Sequence, residues 1–176
     1  MQLLLLLSIA NAEPERFGDQ GVVALGGDLG TRVAPLESYW FTNVSPTVVV
    51  FVVRGLGIGA DLDTALYLQL GETSYAEASL GIGPTIGYDV RLGRRASFFP
   101  QLRPAIGGSL AVVGGESLPA NRWLKLGLRA PFLFHFDNYY LGIGPFGRVV
   151  VSSRSGEEGF SQSLSVGLGS TVGGWF

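Results

Sequence analysis

The sequence predicts an all-β chain closed into an eight-stranded antiparallel up-and-down transmembrane β-barrel. Three observations carry this. Apolar residues recur at every second position through eight segments, none of which shows a helical period. In each segment the bulky face is nearly free of charge, while the other face holds glycine and the strand charges. Long and tight connections alternate along the chain, as they do between the two ends of a bacterial barrel.

The segments follow in order near residues 21–33, 43–53, 56–70, 75–92, 96–112, 123–136, 139–152 and 162–176. The third has the clearest alternation. Leu56, Ile58, Ala60, Leu62, Thr64, Leu66, Leu68 and Leu70 share one face, against Gly57, Gly59, Asp61, Asp63, Ala65, Tyr67 and Gln69 on the other. The fourth repeats it, with Leu80, Ile82, Pro84, Ile86, Tyr88, Val90 and Leu92 opposing Glu77, Gly81, Gly83, Gly87, Asp89 and Arg91. In the sixth, Leu124, Leu126, Leu128, Phe132, Phe134 and Phe136 oppose Lys125, Gly127, Arg129, Leu133 and His135. Tight turns fall at Val53-Arg54-Gly55, Gly93-Arg94-Arg95 and Asp137-Asn138, and longer links at 34–42, 71–74, 113–122 and 153–161. That order puts both termini on the side of the tight turns.

Composition agrees. Mean hydropathy is +0.34, yet the sequence has no run of about 20 apolar residues that would make a membrane-crossing helix. A barrel resolves this by spreading its apolar residues over alternate positions. The 176 residues suggest one domain, and a net charge of −2 gives no basic field for nucleic acid. The chain has no cysteine, which removes disulfides, thiolate catalysis and sulfur-ligated metals. Leu3 to Ile9 form a short apolar core followed by Ala10-Asn11-Ala12, the pattern of an export signal with an A-x-A cleavage site, although no Lys or Arg precedes the leucines. The expected organisation is a cleaved signal over 1–12, a periplasmic segment over 13–20 beginning at Glu13, and the barrel over 21–176.

Alternation alone also fits a soluble barrel with its apolar face inward. The content of the faces decides. An eight-stranded lumen is narrow and must mix small residues with a few large ones. Glycine on a solvated outer face would weaken the strands for no gain. A Lys or Arg facing lipid at mid-membrane would cost about 2–4 kcal/mol, whereas water excludes no charge. Grease is therefore expected outside. Pro84, Pro100 and Pro104 fall on the outer face and mark bulges or strand ends. Girdles of aromatic rings are expected at both interfaces, from Tyr39, Trp40, Phe41, Tyr75, Trp123 and Phe160 at the loop ends, and from Tyr88, Phe98, Phe136, Tyr139 and Phe176 at the turn ends.

The inward face then collects five acids (Asp28, Asp61, Asp63, Glu77, Asp89) and six bases (Arg32, Arg91, Arg103, Lys125, Arg129, Arg148). Near balance points to a paired network, since buried charges persist only when paired and hydrogen-bonded. Its role is either a structural plug or a path for ions or protons. The narrow interior favours the plug.

Several patterns point to chemistry and fail on context. Gly142-Ile143-Gly144-Pro145-Phe146-Gly147 matches G-x-G-x-x-G, but Val149-Val150-Val151 continue as strand where a dinucleotide site needs a helix. Asp61 and Asp63 lie roughly 6–7 Å apart along one strand, too little for calcium or glycosidase chemistry without further ligands or a sugar cleft. His135 is the only histidine, so it builds no multi-histidine metal site. Ser97 and Tyr140 are its conceivable neighbours, with no orienting group singled out. No catalytic, cofactor or metal site is expected. The loop Ser153-Arg154-Ser155-Gly156-Glu157-Glu158-Gly159 reads as solvated.

The run Phe41-Thr42-Asn43-Val44-Ser45-Pro46-Thr47-Val48-Val49-Val50-Phe51-Val52, followed by Leu56-Gly57-Ile58-Gly59-Ala60, resembles a hairpin of bacterial outer-membrane β-barrel-domain proteins, the OmpA/OmpX-like porin-like superfamily. The ending Thr171-Val172-Gly173-Gly174-Trp175-Phe176 is similar to the terminal aromatic signal read by the barrel-assembly machinery, departing at Gly174, where an outward aromatic is common. The resemblance implies a location in the outer membrane of a Gram-negative bacterium. It also implies contact with outer-membrane lipid and lipopolysaccharide, an assembly signal at Trp175 and Phe176, and no catalytic residues. No peptidoglycan-binding domain accompanies it, so a wall-anchoring role does not carry over. Three functions remain open: a structural or surface-interaction barrel, a narrow channel for small solutes or ions, and a lipid-modifying enzyme. The last lacks a convergent polar cluster on the lipid-facing wall, and the external ligand is unknown.

Overall fold

A computed structural model describes residues 16–34, 39–71, 74–154 and 159–176. The expected export signal over 1–12, Glu13, and parts of the links at 34–42, 71–74 and 153–161 lie outside the described residues, as does the side chain of Arg32.

Alternation places one side of every segment against the lumen, and each ladder is antiparallel. The strands are β1 (Val23–Ala34), β2 (Tyr39–Val53), β3 (Leu56–Gln69), β4 (Tyr75–Tyr88), β5 (Val90–Arg91), β6 (Ala96–Phe98), β7 (Gln101–Val113), β8 (Glu116–Ser117), β9 (Asn121–Arg129), β10 (Phe132–Phe136), β11 (Tyr139–Arg154) and β12 (Ser161–Trp175). They form eight staves. β4 continues into β5, β6 into β7 and β9 into β10, while β8 folds back on β7. The ring closes where β12 pairs with β11 on one side and with β1 on the other, Ala24 opposite Trp175. The architecture is a closed eight-stranded antiparallel barrel.

The second stave begins at Tyr39 rather than at 43. Tyr39, Trp40 and Phe41 pair with Gln69, Leu68 and Tyr67 on one side and with Ala34, Val33 and Arg32 on the other, so these apolar residues extend the ladder instead of ending it.

The split staves break where proline removes a donor or an extra residue enters. The breaks lie at Asp89, at Phe99-Pro100 and at Ala130-Pro131. Bonds to proline carbonyls on the adjacent stave stitch them: Tyr88 N–H donates to Pro100 O at 3.0 Å, Phe99 N–H to Pro131 O at 3.0 Å and Ala130 N–H to Pro145 O at 3.0 Å. Pro84 and Pro104 lie in a gap of the β4–β7 ladder, which pairs Ile82 with Ile106 and resumes at Ile86 with Leu102.

The outer wall is a belt of exposed apolar side chains, among them Leu80, Ile82, Ile106, Leu126, Leu128, Ile143, Leu168 and Val172. The tight turns, the start of β1 and the end of β12 share one rim, and the described parts of the longer links share the other. The girdle expectation holds in part. Trp40, Tyr88, Phe136, Tyr139, Phe160 and Phe176 are exposed. Tyr39, Phe41 and Tyr67 line the lumen. Trp123 also turns inward, since Cβ atoms at Gly81 and Gly107 would collide with its ring. Parity decides this: these residues occupy lumen-facing positions.

An apolar core closes the turn end. Phe17, Val22, Ala24, Val49, Phe51, Phe99, Leu133, Tyr140 and Trp175 are buried together.

Candidate functional site

The lumen is filled in layers. Asp28 on β1 stands at the centre of the polar layer. Arg103 Nη1 on β7 lies 2.6 Å from Asp28 Oδ2, and Arg129 on β9 pairs with the same carboxylate. Arg103 also donates to Thr47 Oγ1 at 3.0 Å and to Gln101 Oε1 at 2.8 Å, so all three of its side-chain nitrogens are engaged although only 6% of the residue is exposed. Lys125 pairs with Asp63, which also accepts from Ser45 Oγ at 3.4 Å. Asp61 is buried and accepts from Thr85 Oγ1 at 3.1 Å. Thus Asp28, Asp61, Asp63, Arg103, Lys125 and Arg129, contributed by strands far apart in sequence, meet in one cross-section.

The remaining members of the expected network sit elsewhere. Glu77 is near the loop end, bonded by Tyr75 Oη at 2.5 Å. Arg148 lines the cavity above the polar layer. Arg91 and Asp89 belong to the turn end, where Arg91 bridges to Asp19 and lies 3.9 Å from Asp89 Oδ2.

Above the polar layer a cavity of about 640 Å³ opens toward the loop end. Tyr39 and Tyr67 stack on one wall with ring centroids 5.7 Å apart. Below the layer the next void, between Arg103, Thr47, Gln101 and Tyr140, is about 10 Å³, no more than one water.

Below that, the N-terminal segment enters the barrel, a feature that the strand pattern does not announce. Phe17 is 3% exposed, its ring 4.9 Å from Phe51, 5.2 Å from Tyr140, 5.3 Å from Phe99 and 5.9 Å from Trp175. Three backbone bonds hold the segment: Gly55 N–H to Gly18 O at 2.8 Å, Gly21 N–H to Phe51 O at 2.8 Å and Phe51 N–H to Val22 O at 3.0 Å. Gly18 has φ 86°, and a Cβ there would also strike the Asp89 carboxylate, so the position demands glycine on both grounds. Asp19 lies outside the strands. Burial pushes its carboxyl up, but hydrogen bonds from Arg91 and from the Arg16 N–H, with the charges of Arg91 and Arg54, outweigh this and hold it below the ordinary value.

Ser97 Oγ and His135 Nε2 are 2.9 Å apart. Tyr140 is the cross-strand partner of His135. The donor between Ser97 and His135 depends on the tautomer, and His135 Nδ1 has no hydrogen-bond partner among the described residues, so no acid orients the imidazole as a base. Among the described residues no three His, Asp or Glu side chains gather to hold a metal. Trp175 is buried in the basal core and Phe176 points outward.

These features define a class: a small transmembrane-type barrel, greasy outside, with a polar layer and an aromatic base inside. Neisserial surface protein A shares this fold, with a TM-score of 0.53 and 13% identity over 88% of this chain and 94% of that one. A major outer membrane protein from Thermus thermophilus aligns with a TM-score of 0.48 at 13% identity, over 88% of this chain and 99% of that one. Ail, the attachment invasion locus protein of Yersinia pestis, aligns at 0.39 and 12% identity, over 89% and 97%. The first of these likenesses bears on the fold alone, which the two chains share. No protein-family profile matches the sequence and no curated protein does.

Proposed function

We propose that the chain is a small outer-membrane barrel of a Gram-negative cell envelope with a structural and surface-interaction role. Its lumen is plugged and its four longer links are displayed outside. The carrying observation is the polar layer: one carboxylate, Asp28, joins Arg103 and Arg129 across the lumen, directly above a packed aromatic base. The exposed apolar belt supports contact with outer-membrane lipid and lipopolysaccharide. The barrel-assembly machinery is the proposed reader of Trp175 and Phe176. Of the two, only Phe176 is outward and accessible in the folded state, so Trp175 is read before the barrel closes.

The role is non-enzymatic in this reading. Ser97, the hydroxyl bonded to the histidine, is 1% exposed, and no acid orients that histidine as a base among the described residues.

A narrow channel is the second reading, favoured by the cavity that reaches from the loop end down to Arg103. Planar-bilayer recording of the purified full chain decides between them, with heat-modifiable gel mobility as the check on folding. The plug predicts no sustained open steps. Large, long-lived steps from a heat-modifiable preparation would establish the channel instead.

A further inference from the structure

We infer that the turn-end rim and the apolar wall beside it bind an anionic phospholipid of the turn-side leaflet. The rim is unevenly charged. Among the described residues it carries the side chains of Arg16, Arg54, Arg91, Arg94 and Arg95 against those of Asp19, Asp89 and Asp137. Asp19 and Asp89 both lie against Arg91, and Arg54 adds only a longer-range pull on Asp19. Arg54, Arg94 and Arg95 are exposed, and none of them makes an ion pair among the described residues. Of the three aspartates that leaves Asp137, itself exposed in the turn between β10 and β11. Asp89 N–H donates to Gly55 O at 2.7 Å, so the turn with Arg54 sits beside the stave that runs on to Arg94 and Arg95. Guanidinium forks at headgroup level match the oxygens of a phosphate.

The apolar half of the site starts at that rim. A groove of about 760 Å³ lies along the outer wall and begins at the cross-strand pair Leu56 and Tyr88, where Leu56 follows Arg54 by two residues. It continues along one row of ladder partners, Leu102 with Leu128, Leu128 with Gly147 and Gly147 with Val166. Gly147 is where the row drops, since a Cβ there would meet only Val166 Cγ1, at 3.9 Å. An alkyl chain fills such a groove and needs no hydrogen bond there, whereas a peptide strand in lipid would need every backbone group paired. The charge above the groove selects the lipid: a net anionic headgroup is held, and a zwitterionic one carries its own cation. The inference rests on the reading of the apolar belt as lipid-facing and adds a leaflet and a headgroup charge to it. Flotation with phosphatidylcholine vesicles tests the belt, and headgroup preference tests the rim, so either can fail alone.

The test is native mass spectrometry of the full chain, purified in neutral detergent and verified by heat-modifiable mobility, with equal amounts of phosphatidylglycerol and phosphatidylcholine bearing identical acyl chains. The expected result is a phosphatidylglycerol adduct in excess of the phosphatidylcholine one. Arg54→Gln should cut that preference about fivefold, the worth of one arginine beside a lipid headgroup. Arg54→Gln, Arg94→Gln and Arg95→Gln together should abolish it, while Arg122→Gln, an exposed arginine at the other rim, should leave it intact. Gly147→Leu should weaken the adducts of both lipids by filling the groove. If the arginine variants lose heat-modifiable mobility, the unmodified chain still decides, because the preference must shrink as the ionic strength rises. Equal adducts of the two lipids, a preference that survives the triple substitution or is indifferent to salt, or a dimer peak in place of the lipid adduct would overturn the site.

Discussion

Asp28 shows how much a single position reveals and where it stops. Parity along the strand tells which way a side chain faces, so Asp28, Asp63, Arg103, Lys125 and Arg129 were legible as lumen residues. Their partners were not, because pairing across a barrel depends on the stagger between staves, which no single segment encodes. Asp28 meets Arg103 from a residue 75 positions away, a contact fixed only on closure. Removing a shared carboxylate leaves two buried guanidiniums uncompensated. Asp28→Asn should therefore lower the unfolding free energy by about 3–5 kcal/mol in lipid bilayers, read by urea titration, whereas replacing Asp28, Arg103 and Arg129 together with leucine should be near neutral or stabilising. A stable Asp28→Asn barrel would mean the layer does not hold the lumen together. Trp123 makes the same point: a place beside a loop suggests an interfacial ring, but its position faces inward and the glycines at 81 and 107 make room for it.

At the scale of the element, the strands were legible and the plug was not. Eight alternating runs announce themselves because one face meets lipid and the other does not. The prolines at 100 and 131 add breaks that the pattern only half reveals. The segment from Arg16 to Val22 has no period, and a lone phenylalanine in a polar stretch gives no sign that its ring will enter the base. Its latch carries a testable pH dependence. The folded Asp19 carboxyl titrates below its ordinary value of 3.8, so its stabilisation is complete above that value and is lost as the pH falls through the depressed one. A spin label at Gln20→Cys, an exposed position with no competing thiol in the chain, should be immobile at neutral pH and gain mobility below pH 3.8. Adding Asp19→Asn should make it mobile at both. A label whose mobility ignores both pH and Asp19 would show that the ion pair with Arg91 does not hold the segment.

The whole molecule rests on an inverted arrangement: apolar side chains face out and the charges face in. Alternation predicted two faces, and the distribution of glycine and charge told which was which, because a narrow lumen needs small residues and lipid rejects ions. The cavity, the layered lumen and the buried base could not be read this way, since each depends on side chains from several staves meeting after closure. The most direct test of the inversion uses single cysteines on neighbouring positions of a cysteine-free chain. Spin labels at Leu126→Cys, Ile143→Cys and Leu168→Cys in reconstituted bilayers should be accessible to dissolved oxygen and shielded from a water-soluble nickel chelate, and labels at Ser165→Cys and Thr171→Cys should be shielded from oxygen. The reverse pattern, with the leucine and isoleucine positions shielded and the serine and threonine positions open to oxygen, would contradict it.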